Sequence, residues 1–180
     1  MTVDVRIFTA DELLGLPDDG SRYELVEGEL KPMSPAGYEH GLIVNRINAR
    51  LFAFAEQHRV GQVPASETGF VVARNPDTVL SPDVSFVRAE RAVDTRGFFP
   101  GPPDLAVEVV SPSDRFSDVL AKTRTYLRAG TVAVVIVEPA SRIVQVHRTS
   151  GVTNVTDTLA LEDVLPGWSM SLEDMFRVSA

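Results

Sequence analysis

The segment Pro102-Pro-Asp-Leu-Ala-Val-Glu108-Val-Val-Ser-Pro-Ser113 predicts a buried β-strand that carries one carboxylate near its middle and ends in a turn. Successive side chains of a strand face opposite sides of a sheet, and on both sides every position from 105 to 110 is apolar except Glu108. A charge in such a strand is costly to bury without a partner. Glu108 is therefore expected to be paired, to bind a metal, or to lie at the rim of a cleft.

The flanking sequence extends this strand into a larger unit. Residues 114–129 have a helical pattern, with Ser113 as the expected N-cap and Gly130 at the C-terminal end. A second apolar strand is predicted at 131–137. A right-handed crossover through the helix would place the two strands parallel. On the N-terminal side, residues 82–87 predict a short alternating strand that opens with Pro82 and Asp83.

The rest of the chain supplies further strands and helices around this unit. A hairpin is predicted at 23–30, a long helix at 38–57, strand-rich sequence at 62–73, a strand at 142–147 and an edge hairpin beyond it. Short helices are predicted at 11–14 and 171–176. This order indicates the α/β or α+β class, with a mixed β-sheet flanked by helices. No linker or repeat interrupts the 180 residues, so one domain over 1–180 is expected.

Composition limits the function classes. The chain contains no cysteine, which excludes a disulfide framework and thiolate metal sites. The first residues resemble no signal peptide, and no apolar run approaches the ~20 residues needed to span a bilayer. A cytoplasmic location without membrane contact is expected. The net charge of −8 argues against strong non-specific binding to nucleic acid. It does not argue against an enzyme that meets phosphates through divalent cations.

Three residues together suggest chemistry. Asp83 and Glu108 lie on short apolar strands, and pairing of these strands would bring both carboxylates to one side of the sheet. Clustered carboxylates repel each other unless cations hold them, and Mg²⁺ is bound by one or two carboxylates with water and phosphate. Lys122 follows on the next helix and shares a face with Asp118 and Tyr126. A lysine there can stabilise the charge that develops in phosphoryl transfer.

Each of these residues alone also has an ordinary structural interpretation. Asp83 and Glu108 could be solvated carboxylates, and Asp118 with Lys122 could be a surface pair. Ser111 and Ser113 lack the surroundings of a nucleophile and suit turn or capping roles. His58 and His147 are interpreted as surface residues. The joint pattern of Asp83, Glu108 and Lys122 favours a site.

Two further features of the sequence each have two interpretations. Phe98 and Phe99 are either a buried cover or an exposed surface that binds a partner or stacks on DNA, and the cover is favoured. The arginines of the long helix and of the loop after residue 87 could line a nucleic-acid path, but a solvated face is the simpler interpretation.

The order of short motifs sharpens the interpretation. They are Tyr-Glu-Leu-Val-Glu-Gly-Glu at 23–29, Ser-Pro at 34–35 with His40 beyond, Pro-Asp-Val-Ser-Phe-Val at 82–87, Pro-Asp-Leu-Ala-Val-Glu-Val-Val-Ser-Pro at 103–112, Lys122 with Tyr126, Val-Glu-Pro at 137–139 and Leu-Pro-Gly-Trp-Ser at 165–169. From about residue 9 to 176 this resembles the Uma-type family of restriction endonucleases, a bacterial branch of the PD-(D/E)XK nuclease superfamily.

The resemblance implies a restriction-endonuclease-like fold and a divalent-metal phosphodiesterase site. Asp83 would match the aspartate of the superfamily motif and Glu108 its second acid, and both would bind Mg²⁺ or Mn²⁺. The lysine expected two residues later is replaced by Val110. The family resembles members whose lysine has moved to the neighbouring helix, which makes Lys122 the candidate.

The same resemblance implies roles for three more residues. Glu24 would be an additional acid that binds a second metal or activates water. His40 would lie near the mouth of the site. Tyr126, which the helical pattern also favours as a packing residue, could hydrogen-bond near Lys122.

The function implied is metal-dependent hydrolysis of DNA phosphodiester bonds. One alternative is a catalytically silent binding or assembly module that keeps the nuclease fold, and another is hydrolysis of a different phosphodiester such as RNA. The acidic net charge predicts weak or partner-dependent DNA binding. Because cutting both strands of a duplex usually needs two sites, a homodimer is expected.

Overall fold

The segment predicted as the central strand forms β7 (Leu105–Val109), and all five of its residues are buried. The structure is a computed structural model and describes residues 6–177. β7 pairs in parallel with β8 (Ala133–Glu138) and antiparallel with β6 (Val84–Arg88). The helix α3 (Phe116–Ala129) connects the two parallel strands. The predicted parallel strand–helix–strand unit is therefore confirmed.

These strands form the centre of a mixed six-stranded sheet in the order β10-β9-β8-β7-β6-β3. Its remaining strands are β3 (Gly61–Gln62), β9 (Ile143–Arg148) and β10 (Gly151–Val155). The antiparallel β9–β10 hairpin makes one edge, and the two-residue strand β3 makes the other. A 3₁₀ turn (Ala89–Arg91) follows β6. The mixed sheet expected from the sequence is present.

Helices cover both faces of this sheet. The long helix α2 (Tyr38–His58) buries Ile43, Ile47 and Leu51 against the face that carries Val107. On the opposite face, α3 places Tyr126 against β7 and β8. The short helix α4 (Leu172–Phe176) extends the α2 layer. Because β7 is enclosed between two helices, any polar side chain on it must find its partners within the protein.

A second, four-stranded sheet lies beside the first, in the order β2-β1-β5-β4. The strands are β1 (Tyr23–Val26), β2 (Glu29–Pro32), β4 (Phe70–Ala73) and β5 (Thr78–Leu80). The helix α1 (Ala10–Leu14), capped by Thr9, packs on it. β11 (Thr158–Ala160) and β12 (Ser169–Ser171) form a separate pair. The sequence predicted the β1–β2 hairpin but not that it joins β5 in a separate sheet.

Two local predictions are wrong. Ser113 does not cap α3; the N-cap is Arg115. The Asp114 carboxylate accepts a hydrogen bond from the Ser111 N–H, and this turn makes the helix begin later than predicted. His147 is not a surface residue; it is 8% exposed on β9, between Val134 and Val152 on the neighbouring strands.

The predicted cover formed by Phe98 and Phe99 agrees with the structure, since both rings are half-buried. Phe99 packs 5.4 Å from Phe70 between ring centroids. Between residues 6 and 177, no helix combines the length and apolar character needed to cross a membrane.

Candidate active site

A cleft runs over the ends of β6 and β7, between the start of α2 and α3. It consists of two adjoining cavities of about 550 and 620 Å³. The first extends along α2, and the second extends along α3 beside β1 and β5. Glu24, Glu108 and Lys122 line both cavities, so these three side chains lie where the two halves meet.

Strand register brings Asp83 and Glu108 together. β6 and β7 pair with Val84 opposite Val107, and the same register continued by one residue places Asp83 opposite Glu108. Both side chains line the α2 half of the cleft. The expectation that neighbouring strands carry these two acids to one side of the sheet therefore agrees with the structure.

Glu108 is 8% exposed and contacts Lys122 with both carboxylate oxygens. The Lys122 Nζ lies 3.1 Å from Oε1 and donates a hydrogen bond of 3.2 Å to Oε2. Burial raises the pKa of Glu108 to about 8; Lys122 acts against this shift, while Asp83 and Glu24 add to it. The single ammonium therefore does not fully compensate this carboxylate.

Glu24 holds Lys122 from the other side. Its Oε1 accepts the Ser81 backbone N–H at 2.7 Å and lies 2.8 Å from the Lys122 Nζ. Burial lowers the pKa of Lys122, but the charges of Glu108 and Glu24 outweigh this effect and the pKa is raised overall. Lys122 thus stays charged between two acids and has little freedom to move.

Asp83 is fixed through one of its oxygens. Oδ2 accepts the Val109 backbone N–H at 2.7 Å and lies 3.2 Å from the His40 Nε2. The hydrogen bond from Asp83 raises the pKa of His40, although burial opposes it. With Oδ2 engaged twice, Oδ1 is the Asp83 oxygen that remains available to a ligand in the cleft.

Tyr126 lies beneath this cluster and is fully buried. Burial raises the pKa of its hydroxyl well above the usual value, and the negative charges of Glu108 and Glu24 contribute. Tyr126 therefore remains neutral, with its hydroxyl close to Glu108. It packs against the sheet, as the helical pattern of α3 predicts.

The donor set fits a hard divalent cation. Three carboxylates (Asp83, Glu108 and Glu24) face one ammonium, that of Lys122, in the cleft. No group of three or more acidic or histidine side chains in that part of the chain already has the arrangement of a metal site. Mg²⁺ commonly uses one or two carboxylates and completes its shell with water and phosphate. Asp83 and Glu108 meet that requirement.

The structure thus brings Asp83, Glu108, Lys122, Glu24 and His40 into one cleft, with Tyr126 directly below it. The described contacts of Glu24 are to the lysine and to a backbone N–H. Sequence reasoning missed Asn45 and Asn48, which line the cleft from α2. Polar residues of an amphipathic helix ordinarily face solvent, so the sequence pattern gave no signal for these two.

Comparison with known proteins was consistent with this fold. A family model described as "Uma2: Putative restriction endonuclease" matches residues 10–173. The chain is also similar to a crystal structure at 1.96 Å resolution of "a putative nuclease belonging to DUF820" from Anabaena variabilis ATCC 29413. The TM-score is 0.80 at 21% sequence identity, over 94% of this chain and 97% of the other, which is a likeness of fold. No curated protein matches the chain.

Proposed function

The chain belongs to the Uma2 family, described as "Putative restriction endonuclease", and on this premise we propose that it is a divalent-metal-dependent nuclease that hydrolyses DNA phosphodiester bonds. One observation carries the proposal. Asp83 and Glu108 lie opposite each other at the floor of a cleft, and the Lys122 ammonium touches Glu108. A buried acid pair with a fixed lysine suits phosphoryl chemistry, because that chemistry needs positive charge placed in advance.

Asp83 and Glu108 would hold Mg²⁺ or Mn²⁺. The bound cation would lower the pKa of a water molecule and neutralise charge on the scissile phosphate. Asp83 would use Oδ1, since Oδ2 is engaged by the Val109 N–H and His40. In this role His40 is a positioning residue that orients the aspartate. Glu108 would bind the cation through its carboxylate, which lies opposite Asp83 on the neighbouring strand.

Lys122 would act directly on the phosphate. Its ammonium is held between Glu24 and Glu108, so it is oriented before substrate binds. From there it would donate hydrogen bonds to the phosphate oxygens as negative charge grows in the transition state, or orient the attacking water. We assign Glu24 the positioning of Lys122 in place of a second metal site, because Glu24 Oε1 already accepts the Ser81 N–H and contacts the lysine.

Loss of the Asp83 charge should abolish cleavage while the fold remains. Asp83→Asn keeps an oxygen that can accept the Val109 N–H, so the local backbone should be preserved. We expect cleavage to fall by about 100-fold or more, because several kcal/mol of metal-derived stabilisation are lost and each 1.36 kcal/mol is tenfold in rate. The assay incubates plasmid and single-stranded circular DNA with Mg²⁺, Mn²⁺ or EDTA.

The matched control is Asp94→Asn, which removes one acid from an exposed loop and should cleave like the wild type. If wild type and Asp83→Asn give the same products with and without EDTA, the nuclease proposal is wrong and a non-catalytic binding module is favoured. The acidic net charge is the observation that favours that second candidate.

A further inference from the structure

One side of α2 carries two amide side chains flanked by two exposed aromatic side chains. Tyr38, Asn45, Asn48 and Phe52 follow each other at intervals of seven, three and four residues, which keeps them on one side of the helix. Tyr38 is 85% exposed and Phe52 is 50% exposed. At about 1.5 Å per residue the stripe spans roughly 21 Å. We refer to these four residues as the α2 stripe.

The α2 stripe is continuous with the cleft. Asn45 and Asn48, its two central members, line the cavity of about 550 Å³ that also contains Asp83 and Glu108. The Asn48 Oδ1 is buried there and has no hydrogen-bond partner within residues 6–177. A buried polar atom without a partner is unfavourable, so this wall of the cavity suits a ligand with polar hydrogen-bonding groups.

The charge of the cleft decides which part of a nucleotide suits this wall. The α2 stripe is uncharged, whereas the floor beside it carries the carboxylates of Glu24, Asp83 and Glu108. A phosphate on the stripe would lack a cationic partner there. The other cavity, along α3, is lined by cationic and acidic side chains together. The uncharged α2 stripe therefore suits nucleobases better than phosphates.

Nucleobases offer the features that the α2 stripe can bind. Their edges carry donors and acceptors for an asparagine amide, and their faces stack on tyrosine and phenylalanine. In a duplex, both faces of each base are stacked on neighbours and the pairing edge is occupied. We propose that the α2 stripe binds the unpaired bases of a single-stranded nucleic acid, whose backbone crosses the Asp83–Glu108 floor. This inference rests on the proposed nuclease function and names its substrate class.

Equilibrium binding tests the α2 stripe without relying on cleavage. The probe is a fluorescein-labelled 12-nucleotide oligothymidine, with Ca²⁺ in place of Mg²⁺, measured by anisotropy against a duplex of the same length. Tyr38→Ala with Phe52→Ala should weaken single-strand binding by about tenfold or more, since stacking on each aromatic ring contributes substantially. Tyr38→Phe with Phe52→Tyr should retain affinity. An oligouridine of equal length distinguishes RNA from DNA.

Phe116→Ala is the matched control, because Phe116 is a comparably exposed aromatic residue, at 44%, that lines a different cavity near Ile143. Its single-strand affinity should equal that of the wild type. Duplex binding as tight as single-strand binding would overturn the inference. Equal loss in the Phe116 control, or no loss in the alanine pair, would overturn it too.

Metal-dependent cleavage of the same oligonucleotides separates this inference from the nuclease proposal. The wild type should cleave the single strand faster than the duplex, and the alanine pair should lose that preference. Faster duplex cleavage would overturn the inference and leave the nuclease proposal intact. Absence of any cleavage, combined with loss of binding in the alanine pair, would support the α2 stripe and overturn the nuclease proposal.

Discussion

Replacing Lys122 with methionine is expected to destabilise the protein and to remove the proposed nuclease activity. Methionine has a similar length but no charge, so Glu24 and Glu108 would lose their shared cation in a buried site. Removing one partner of a buried ion pair costs about 3–5 kcal/mol. For a chain of this size, that corresponds to a melting temperature lower by about 10 °C. Calorimetry and the oligonucleotide cleavage assay would measure the two effects.

The pH dependence of this loss follows from the raised pKa of Lys122. A lysine whose folded-state pKa is raised contributes stability at every pH below its ordinary pKa. That contribution declines only as pH rises through the higher folded value. Between pH 6 and 9 the lysine's own titration therefore adds no pH dependence to this loss. Glu108 does add one: without Lys122 its pKa of about 8 should rise further, so the destabilisation should grow as pH rises above 8.

Two further variants distinguish the effect of Lys122 on stability from its effect on cleavage. The triple variant Lys122→Met, Glu24→Gln, Glu108→Gln removes the lysine and both acids, so much of the stability should return while cleavage stays absent. Arg124→Met removes an exposed cation two residues further along α3 and should change stability by less than about 0.5 kcal/mol. A fully active Lys122→Met would contradict the role assigned to this lysine.

The second prediction with a large effect concerns Glu108, whose replacement should raise the stability of the protein. Glu108→Gln should stabilise the metal-free protein and abolish cleavage. Burial raises the pKa of Glu108 to about 8, so its ionised form is unfavourable in the folded state. The free energy of unfolding should therefore fall as pH rises from the ordinary carboxyl pKa to about 8. Glutamine has the same shape without this charge, and Lys122 keeps its contact with Glu24.

Thermal unfolding in EDTA at pH 5 and at pH 8.5 measures this difference. Glu108→Gln should melt close to the wild type at pH 5 and several degrees above it at pH 8.5, since 1 kcal/mol corresponds to about 2–4 °C. A control, Glu90→Gln in the exposed turn after β6, should melt at the same temperature as the wild type at both pH values. A Glu108→Gln protein that is less stable than the wild type at pH 8.5 would show that Glu108 is a structural partner of Lys122.

The centre of the fold and of the site could be predicted because the signals are local and periodic. Successive side chains of β7 point to opposite faces of the sheet, and a helix covers each face, so a carboxylate at position 108 had to face a helix layer. The α3 pattern places Lys122 within one turn of Tyr126, which is buried over the same sheet face. Antiparallel pairing of β6 with β7 then brings Asp83 opposite Glu108.

The missed features depend on contacts between distant parts of the chain. The contact of Glu24 with Lys122 requires the β1–β2 hairpin to pack beside α3 through a separate sheet, which no local pattern specifies. His147 is buried because a hairpin partner and β8 enclose it from both sides. Asn45 and Asn48 look like solvated helix residues until the cleft beside α2 is known.

We propose that Asp83 and Glu108 form the cation site of a nuclease. The most direct test is to locate the cation. Crystals grown with Mn²⁺ would be measured for anomalous scattering at the manganese edge. We expect one principal peak about 2 Å from carboxylate oxygens of both Asp83 and Glu108, and no peak there in Asp83→Asn. A nuclease that cleaves with Mn²⁺ but shows its ion away from these residues would contradict it.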